Sequence, residues 1–150
     1  MAYGHILVAV DQSEEAEAVV DRARKLADHH KATLSLCSVV KPLTHVYGGL
    51  DMMAYTQAGV NFEEQAVNQA RQLLEALGGR FGVAAKDVHV SVGAPPAQIV
   101  ETAEAVGADM IVVGSHGKHG LGLLLGSTAN GVLHQAGCDV LTVRIGGESH

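Results

Sequence analysis

The chain has 150 residues and a mass of 15.6 kDa, and 47% of its residues are hydrophobic while 17% are charged. A chain of this length buries roughly two thirds of the surface that its unfolded form exposes, which excludes intrinsic disorder and predicts one domain over residues 1–150. The formal net charge of -6 argues against a nucleic-acid partner and against binding to an anionic membrane surface.

The first part of the chain alternates strand and helix patterns. A continuous apolar run at residues 6–10 predicts a strand that is covered on both faces. Ser13 is a favourable N-cap for the following helix, in which apolar residues recur every three or four positions. A second apolar run at residues 33–40 predicts the next strand and completes a first βαβ unit.

A long connection and a second helix are expected next. Residues 43–60 show no clear period, so they are predicted to form a connection without regular structure. Helical spacing of apolar residues returns from about residue 61 to residue 77. Gly78 and Gly79 are expected to end that helix.

The rest of the chain repeats the alternation. Residues 87–92 predict a third strand, Pro95 and Pro96 open a third helix, and residues 110–113 predict a fourth strand. Ser127 and Thr128 are expected to cap a last helix that runs to residue 136, and residues 140–145 predict the fifth strand. Five strands alternating with four helices predict an α/β domain, an open parallel sheet with helices on both faces.

The glycine-rich segment at residues 114–128 is the strongest candidate for a binding site. In an open parallel sheet, ligands bind beyond the carboxyl ends of the strands, near the point where the strand order reverses. Glycines let backbone N–H groups approach an anion, and the helix that starts near Ser127 adds oriented donors. Lys118 adds a positive charge. The alternative interpretation of such a segment is a simple tight turn. Neither standard glycine-rich nucleotide-binding motif matches it.

Other candidate residues have a structural explanation beside the functional one. Asp11 ends the first strand, where it suits either a ribose hydroxyl and a phosphate-bound Mg²⁺ or a turn. His116 and His119 lie three residues apart, but no cysteine or acidic residue nearby completes a metal site, so no metal ligands are predicted. No nucleophile elbow and no pair of converging carboxylates is present, so no catalytic residues are predicted.

Three motifs together resemble the universal stress protein family over essentially the whole chain. They are the strand with its polar end (Ile6-Leu7-Val8-Ala9-Val10-Asp11-x-Ser13), the Gly93-x-Pro95 turn, and Gly114-Ser115-His116-Gly117-Lys118 through Gly126-Ser127. The ATP-binding branch of that family carries Gly-x-x-Gly, nine residues, and then Gly-Ser or Gly-Thr. Here eight residues separate Gly117 from Gly126, a shortening that the extra glycines Gly120 and Gly122 can absorb.

This resemblance implies a Rossmann-like fold of the adenine nucleotide alpha hydrolase type and an ATP site with Mg²⁺ or Mn²⁺ bound through the phosphates. It implies that the first strand's end meets the adenosine, that Val39 meets the adenine, and that the glycine-rich segment and the last helix approach the ribose and phosphates. The residues so assigned are Ala9, Val10, Asp11, Val39, Val113, Gly114, His116, Gly117, Lys118, Gly126, Ser127, Thr128 and Ala129.

The resemblance also concerns partners. Family members dimerise by pairing their last strands, here Val140, Leu141, Thr142, Val143 and Arg144, and a tetramer is a further assembly to consider. The nearest resemblance within the family is to a member associated with an osmolyte transporter, which makes a transporter a candidate regulatory partner. No run approaches the ~18 apolar residues of a membrane span, and two cysteines without a secretory composition favour a reducing cytoplasm.

Three functions remain open from the sequence. The first is an ATP-binding regulatory protein in the stress response, whose bound nucleotide tunes oligomeric state or partner binding. The second is a slow ATPase or phosphotransferase that uses His116 or His119. The third is a dimeric interaction module that binds no nucleotide.

Overall fold

Strands and helices alternate along the chain in a computed structural model that describes residues 3–11, 15–42, 57–115 and 126–144, with side chains from Phe62 onward in the third range. Within these ranges there are five strands and four helices, together with a short 3₁₀ turn before the third strand. The elements are β1 (His5–Ala9), α1 (Ala16–His30), β2 (Thr33–Val40), α2 (Gln57–Arg80), β3 (Val88–Val92), α3 (Pro95–Val106), β4 (Met110–Gly114), α4 (Ser127–Gln135) and β5 (Asp139–Val143).

The strands form one parallel sheet in the order β3-β2-β1-β4-β5. Leu7 in β1 lies opposite Ser35 in β2 and Ile111 in β4, so β1 is at the centre of the sheet. The predicted open five-stranded parallel sheet is confirmed. The strand order reverses between β1 and β4, and their carboxyl ends therefore flank the crevice where ligands bind in this class of fold.

Both faces of the sheet are buried, which explains why the strands are nearly continuous apolar runs. One face packs against α1 and α2 and includes Ile6, Leu36 and Val112. The other packs against α3 and α4 and includes Leu7 and Ile111. Because successive residues of a strand point to opposite faces, strands β1, β2, β4 and β5 contribute to both cores.

The second helix is longer than the sequence predicts. It begins at Gln57, so the connection does not extend to residue 60, and it continues through Gly78 and Gly79 to Arg80. The prediction that these two glycines end the helix is therefore wrong. The reason is that Gly82, whose φ angle of 74° is left-handed, provides the turn that ends the helix, and the N–H of Val83 donates back to the carbonyl of Gly78 at 2.8 Å. Residues 43–56, the rest of the predicted connection, lie outside the described residues.

The start of α4 and the end of the last strand differ from the sequence predictions. Gly126, not Ser127 or Thr128, is the N-cap of α4, and no side-chain hydrogen bond caps that helix. Gly126 has an extended backbone there, and its N–H donates to the carbonyl of Ser115 at 2.6 Å. Ser13 lies outside the described residues. The last strand ends at Val143 and not at residue 145, and Arg144 follows it.

The turn after β3 depends on glycine, and replacing Gly93 with alanine is expected to lower the free energy of unfolding by about 1–3 kcal/mol. The φ angle of Gly93 is 151°, which L-residues rarely adopt, and an added Cβ would lie 2.8 Å from Gln98 Cγ. Urea denaturation measures the loss. Gly137→Ala is the matched control, because nothing lies within 4 Å of its added Cβ.

A second substitution separates the two causes. Adding Gln98→Ala to Gly93→Ala removes the close contact but leaves the unfavourable φ angle, so part of the lost stability should return. Equal stabilities of Gly93→Ala and Gly137→Ala would contradict the assignment.

A partly buried histidine in β3, His89, gives the fold a dependence on pH. Among the described residues, His89 Nε2 is a buried side-chain nitrogen without a hydrogen-bond partner. Burial lowers the pKa of His89 below its ordinary value, nearby His5 and Arg71 lower it further, and Asp87 opposes them. The neutral imidazole is therefore the form that the folded protein favours.

Stability is expected to fall as the pH drops below about 6.5, because the unfolded chain then binds a proton at His89 that the folded protein takes up only at lower pH. The comparison is the urea midpoint at neutral and mildly acidic pH for the wild type and for His89→Gln, which cannot be protonated. A smaller drop is expected in the variant. His134→Gln, at an exposed position, should behave as the wild type. Identical drops in the wild type and His89→Gln would contradict this assignment.

Candidate functional site

A cavity of about 320 Å³ opens at the carboxyl edge of the sheet, where β1 and β4 diverge. Every residue of the predicted nucleotide site that the structure describes lines it. These residues are Ala9, Val10, Asp11, Val39, Val113, Gly114, Gly126, Ser127, Thr128 and Ala129. The other predicted residues, His116, Gly117 and Lys118, lie outside the described residues, as does His119.

The strand ends form the floor of the cavity. Ala9 is the last residue of β1 and Gly114 the last residue of β4, so they flank the point where the strand order reverses. The N–H of Val10 donates to the carbonyl of Cys37 at 2.8 Å, which holds the chain beyond β1 against β2. Asp11 follows directly and is therefore presented at the rim of the cavity.

The N-terminus of α4 forms one wall. The first hydrogen bond of this helix runs from the N–H of Asn130 to the carbonyl of Gly126 at 2.9 Å. The N–H groups of Ser127, Thr128 and Ala129 precede it and have no carbonyl partner within the helix. Together with the positive end of the helix dipole, they suit an anion in the cavity.

The two ends of the glycine-rich segment are joined at its base. The carbonyl of Ser115 accepts the N–H of Gly126, and the N–H of Ser115 donates to the carbonyl of Val143 in β5 at 2.9 Å. Ser115 therefore connects the start of α4 to the edge of the sheet formed by β4 and β5. This arrangement fixes Gly126, and with it the start of α4, relative to β4 and β5.

Sequence reasoning missed several residues that line the cavity. They are Ala16, Val19, Cys37, Ser38, Lys41, Pro95 and Ile99. Lys41 had a usable signal, since it directly follows a strand whose carboxyl end faces the site. With Asp11 it is one of the two charged residues in the described lining. The other missed residues lie in α1, β2 and α3, and the order of the strands in the sheet brings these elements together.

Cys37 is not a nucleophile in this cavity. Its side chain is buried, and burial raises the pKa of the thiol to about 12. The neutral thiol therefore prevails at physiological pH, and Cys37 acts as a small apolar residue of the lining.

A second cavity of about 420 Å³ adjoins the first. It shares Val10, Asp11, Ala16 and Ser38 with it and lies on the side of α2. An ion pair between Arg80 and Glu17, with an N–O distance of 2.9 Å, lies at this cavity. The two cavities therefore meet around the ends of β1 and β2.

Within residues 3–11, 15–42, 57–115 and 126–144, no group of three or more histidine, cysteine or acidic side chains is placed to hold a metal ion. No helix in the described part of the chain has the length and apolar character needed to cross a membrane.

Comparisons with known proteins give consistent results. The model of the universal stress protein family matches residues 2–144. Universal stress protein A homolog 1 of Coxiella burnetii is 40% identical over 143 residues, which cover 95% of this chain and 97% of that protein. UspA from Lactobacillus plantarum has a similar structure, with a TM-score of 0.69 and 26% identity over 96% of this chain and 99% of that one. A universal stress protein in complex with cAMP gives a TM-score of 0.63 and 27% identity, over 96% and 98% of the two chains.

Proposed function

Because this chain belongs to the universal stress protein family, we propose that it is an ATP-binding regulatory protein of the stress response. Bound nucleotide changes its oligomeric state or its affinity for a partner. The observation that carries the proposal is that every described residue of the nucleotide site implied by the family motifs lines one cavity at the carboxyl edge of the sheet.

The adenosine half of the ligand is assigned to the ends of β1 and β2. Ala9, Val10 and Asp11 contact the adenosine, and Val39 contacts the adenine. Support comes from the apolar lining around these residues and from a volume within the usual range for small-molecule sites. A relative of similar structure binds cAMP, which is also an adenine nucleotide.

The phosphates are assigned to the opposite wall. Gly126, Ser127, Thr128 and Ala129 donate backbone N–H groups to them, while Val113 and Gly114 border the ribose. His116, Gly117 and Lys118 approach from the glycine-rich segment. Support for this half comes from the orientation of α4, whose N-terminus is part of the cavity.

The described residues fit an Mg²⁺ ion that is held mainly by the nucleotide. Asp11 is the carboxylate in the described lining, and Mg²⁺ commonly uses one or two carboxylates together with substrate phosphates and water. The ion would neutralise phosphate charge in an acidic protein. Asp11 would orient it from the side of β1.

Regulation requires that ATP binds one assembly state more tightly than another, since equal affinities would shift nothing. The proposed dimer pairs the outer edge of β5 with that of a second copy. β5 is at one end of the described sheet, and an edge strand offers unpaired backbone groups to a partner. Ser115 bonds both to β5 and to the N-cap of α4, which gives the nucleotide site a direct link to this edge. A transporter as regulated partner stays a prediction.

The test is native mass spectrometry of freshly purified protein, before and after addition of Mg-ATP. It reports bound ligand and oligomeric mass together. The expected result is a dimer or larger assembly that carries ATP. The relative populations of the oligomeric states should change when ATP is removed. Release of phosphate above a buffer blank would favour the slow ATPase instead.

Two outcomes would contradict the proposal. A protein that stays empty after addition of Mg-ATP would favour the interaction module without nucleotide. Bound ATP with unchanged assembly and unchanged partner binding would remove the regulatory role and leave a nucleotide-binding protein.

A further inference from the structure

Helices α3 and α4 approach each other very closely beside the cavity. At Gly131 in α4, an added Cβ would lie 2.6 Å from Pro96 Cγ and 2.8 Å from Pro96 Cβ. Both distances are shorter than Cβ contacts found in folded proteins. This approach therefore requires a residue without a side chain at position 131.

Both partners of this contact adjoin walls of the cavity. Pro95, next to Pro96, lines the cavity together with Ile99 of the same helix. Ser127 and Thr128, about one turn before Gly131, line it from α4. The separation of the helices at the Gly131–Pro96 contact thus sets the distance between these two walls.

We infer that Gly131 is a positioning residue, which places the N-terminus of α4 for binding of the nucleotide phosphates. The inference rests on the proposed function and adds a determinant of phosphate affinity that does not itself line the cavity. Gly131 acts through the backbone position of Ser127, Thr128 and Ala129. Its own atoms need not touch the ligand.

The contact cannot relax by rotation of a side chain. The side chain of Pro96 is a ring closed onto the backbone nitrogen of α3, so the two ring carbons that face Gly131 cannot rotate away. An alanine at position 131 therefore separates the two helices, and the start of α4 moves relative to β4. Hydrogen bonds from the first turn depend strongly on distance and angle, so phosphate binding weakens.

Adenosine binding should be insensitive to the same substitution. Its assigned contacts are with Ala9, Val10 and Val39, which belong to β1, β2 and the residue after β1. Ala9 and Val39 pack against the same core as α3 and α4, but the pairing of the sheet holds them in place, with Ala9 opposite Cys37 and Val39 opposite Ser91. The contribution of the phosphates to affinity is consequently the quantity that Gly131 controls.

The experiment is titration calorimetry with Mg-ATP and with adenosine, on the wild type, Gly131→Ala and the control Gly137→Ala. Gly131→Ala should bind ATP about tenfold more weakly and adenosine within about twofold of the wild type. Gly137→Ala should match the wild type for both ligands, because its added Cβ meets nothing within 4 Å.

A rescue variant separates positioning from general destabilisation. Adding Pro96→Gly to Gly131→Ala removes both clashing carbons, so ATP affinity should return toward the wild-type value. The same glycine weakens the first turn of α3, so the thermal midpoint should not rise in parallel. Affinity and stability then change separately, which loss of stability alone would not produce.

Three outcomes overturn the inference. ATP affinity unchanged in Gly131→Ala overturns it while leaving the proposed function intact. Parallel weakening of ATP and adenosine, without rescue by Pro96→Gly, also overturns it. A wild-type protein that binds adenosine and ATP equally, or neither, contradicts the proposed phosphate site itself.

Discussion

Ser127→Asp is expected to weaken ATP binding roughly 100-fold while leaving the protein at least as stable as the wild type. Ser127 is exposed in the first turn of α4 and lines the cavity, so a carboxylate there faces the bound phosphates. Repulsion between such charges reaches about 4 kcal/mol at 4 Å and an effective dielectric constant of 20, and partial exposure reduces it to about 3 kcal/mol. The same carboxylate interacts favourably with the helix dipole.

Calorimetric titration of Mg-ATP and a urea denaturation curve measure these two opposite effects. Ser127→Asn is the matched control, because asparagine is similar in shape to aspartate but carries no charge. It should retain ATP affinity within several-fold of the wild type. Comparable ATP affinities of the aspartate and asparagine variants would show that the phosphates do not bind at this end of α4.

Leu7→Ala is expected to lower the free energy of unfolding by about 3–5 kcal/mol. Leu7 is completely buried in the central strand, opposite Ile111 and beneath α3 and α4. Removing its side chain leaves a cavity in a core that has elements on all sides. Since a domain has about 5–15 kcal/mol of total stability, this loss is a large part of it.

Equilibrium urea denaturation tests the expectation. Leu133→Ala deletes the same atoms at a position where 43% of the residue is exposed, and it should cost less than about 1 kcal/mol. A similar cost for both substitutions would contradict the assignment of Leu7 to the core. If Leu7→Ala does not fold, the smaller deletion Ile111→Val, at another completely buried position, should cost about 0.5–1.5 kcal/mol.

Most of the fold can be predicted from the sequence, because a parallel sheet buries both of its faces. Apolar runs such as those of β1 and β4 stand out against their polar neighbours, and the alternation with helices then leaves few arrangements. No single segment of the sequence predicts the strand order. It follows from how the helices distribute themselves over the two faces, which only the folded structure reveals.

Helix ends were harder to predict, because several neighbouring residues suit the same role there. Gly78, Gly79 and Gly82 all suit the end of α2, and the helix continues through the first two and ends before Gly82, whose φ angle is 74°. At α4, Gly126 rather than Ser127 is the N-cap, and its N–H donates to the carbonyl of Ser115. Only the folded structure reveals which of the suitable residues takes each role.

The candidate site was predictable where it consists of backbone and glycine. The residues around Ala9, Gly114 and Gly126 form recognisable motifs, so their convergence could be expected. Lys41 and Ile99 belong to none of these motifs and line the cavity because β2 and α3 flank it. Their contribution depends on three-dimensional proximity, and a single sequence does not contain that information.

The closed base of the glycine-rich segment has a consequence for how such proteins diversify. Ser115 is hydrogen-bonded to both Gly126 and β5, so the two ends of the segment between Ser115 and Gly126 are held together. The entropic cost of closing such a segment rises only slowly with its length. Insertions and deletions there leave the sheet and the start of the last helix in register. A change in the length of this segment, such as the eight-residue spacing between Gly117 and Gly126, is therefore expected to leave the position of α4 unchanged.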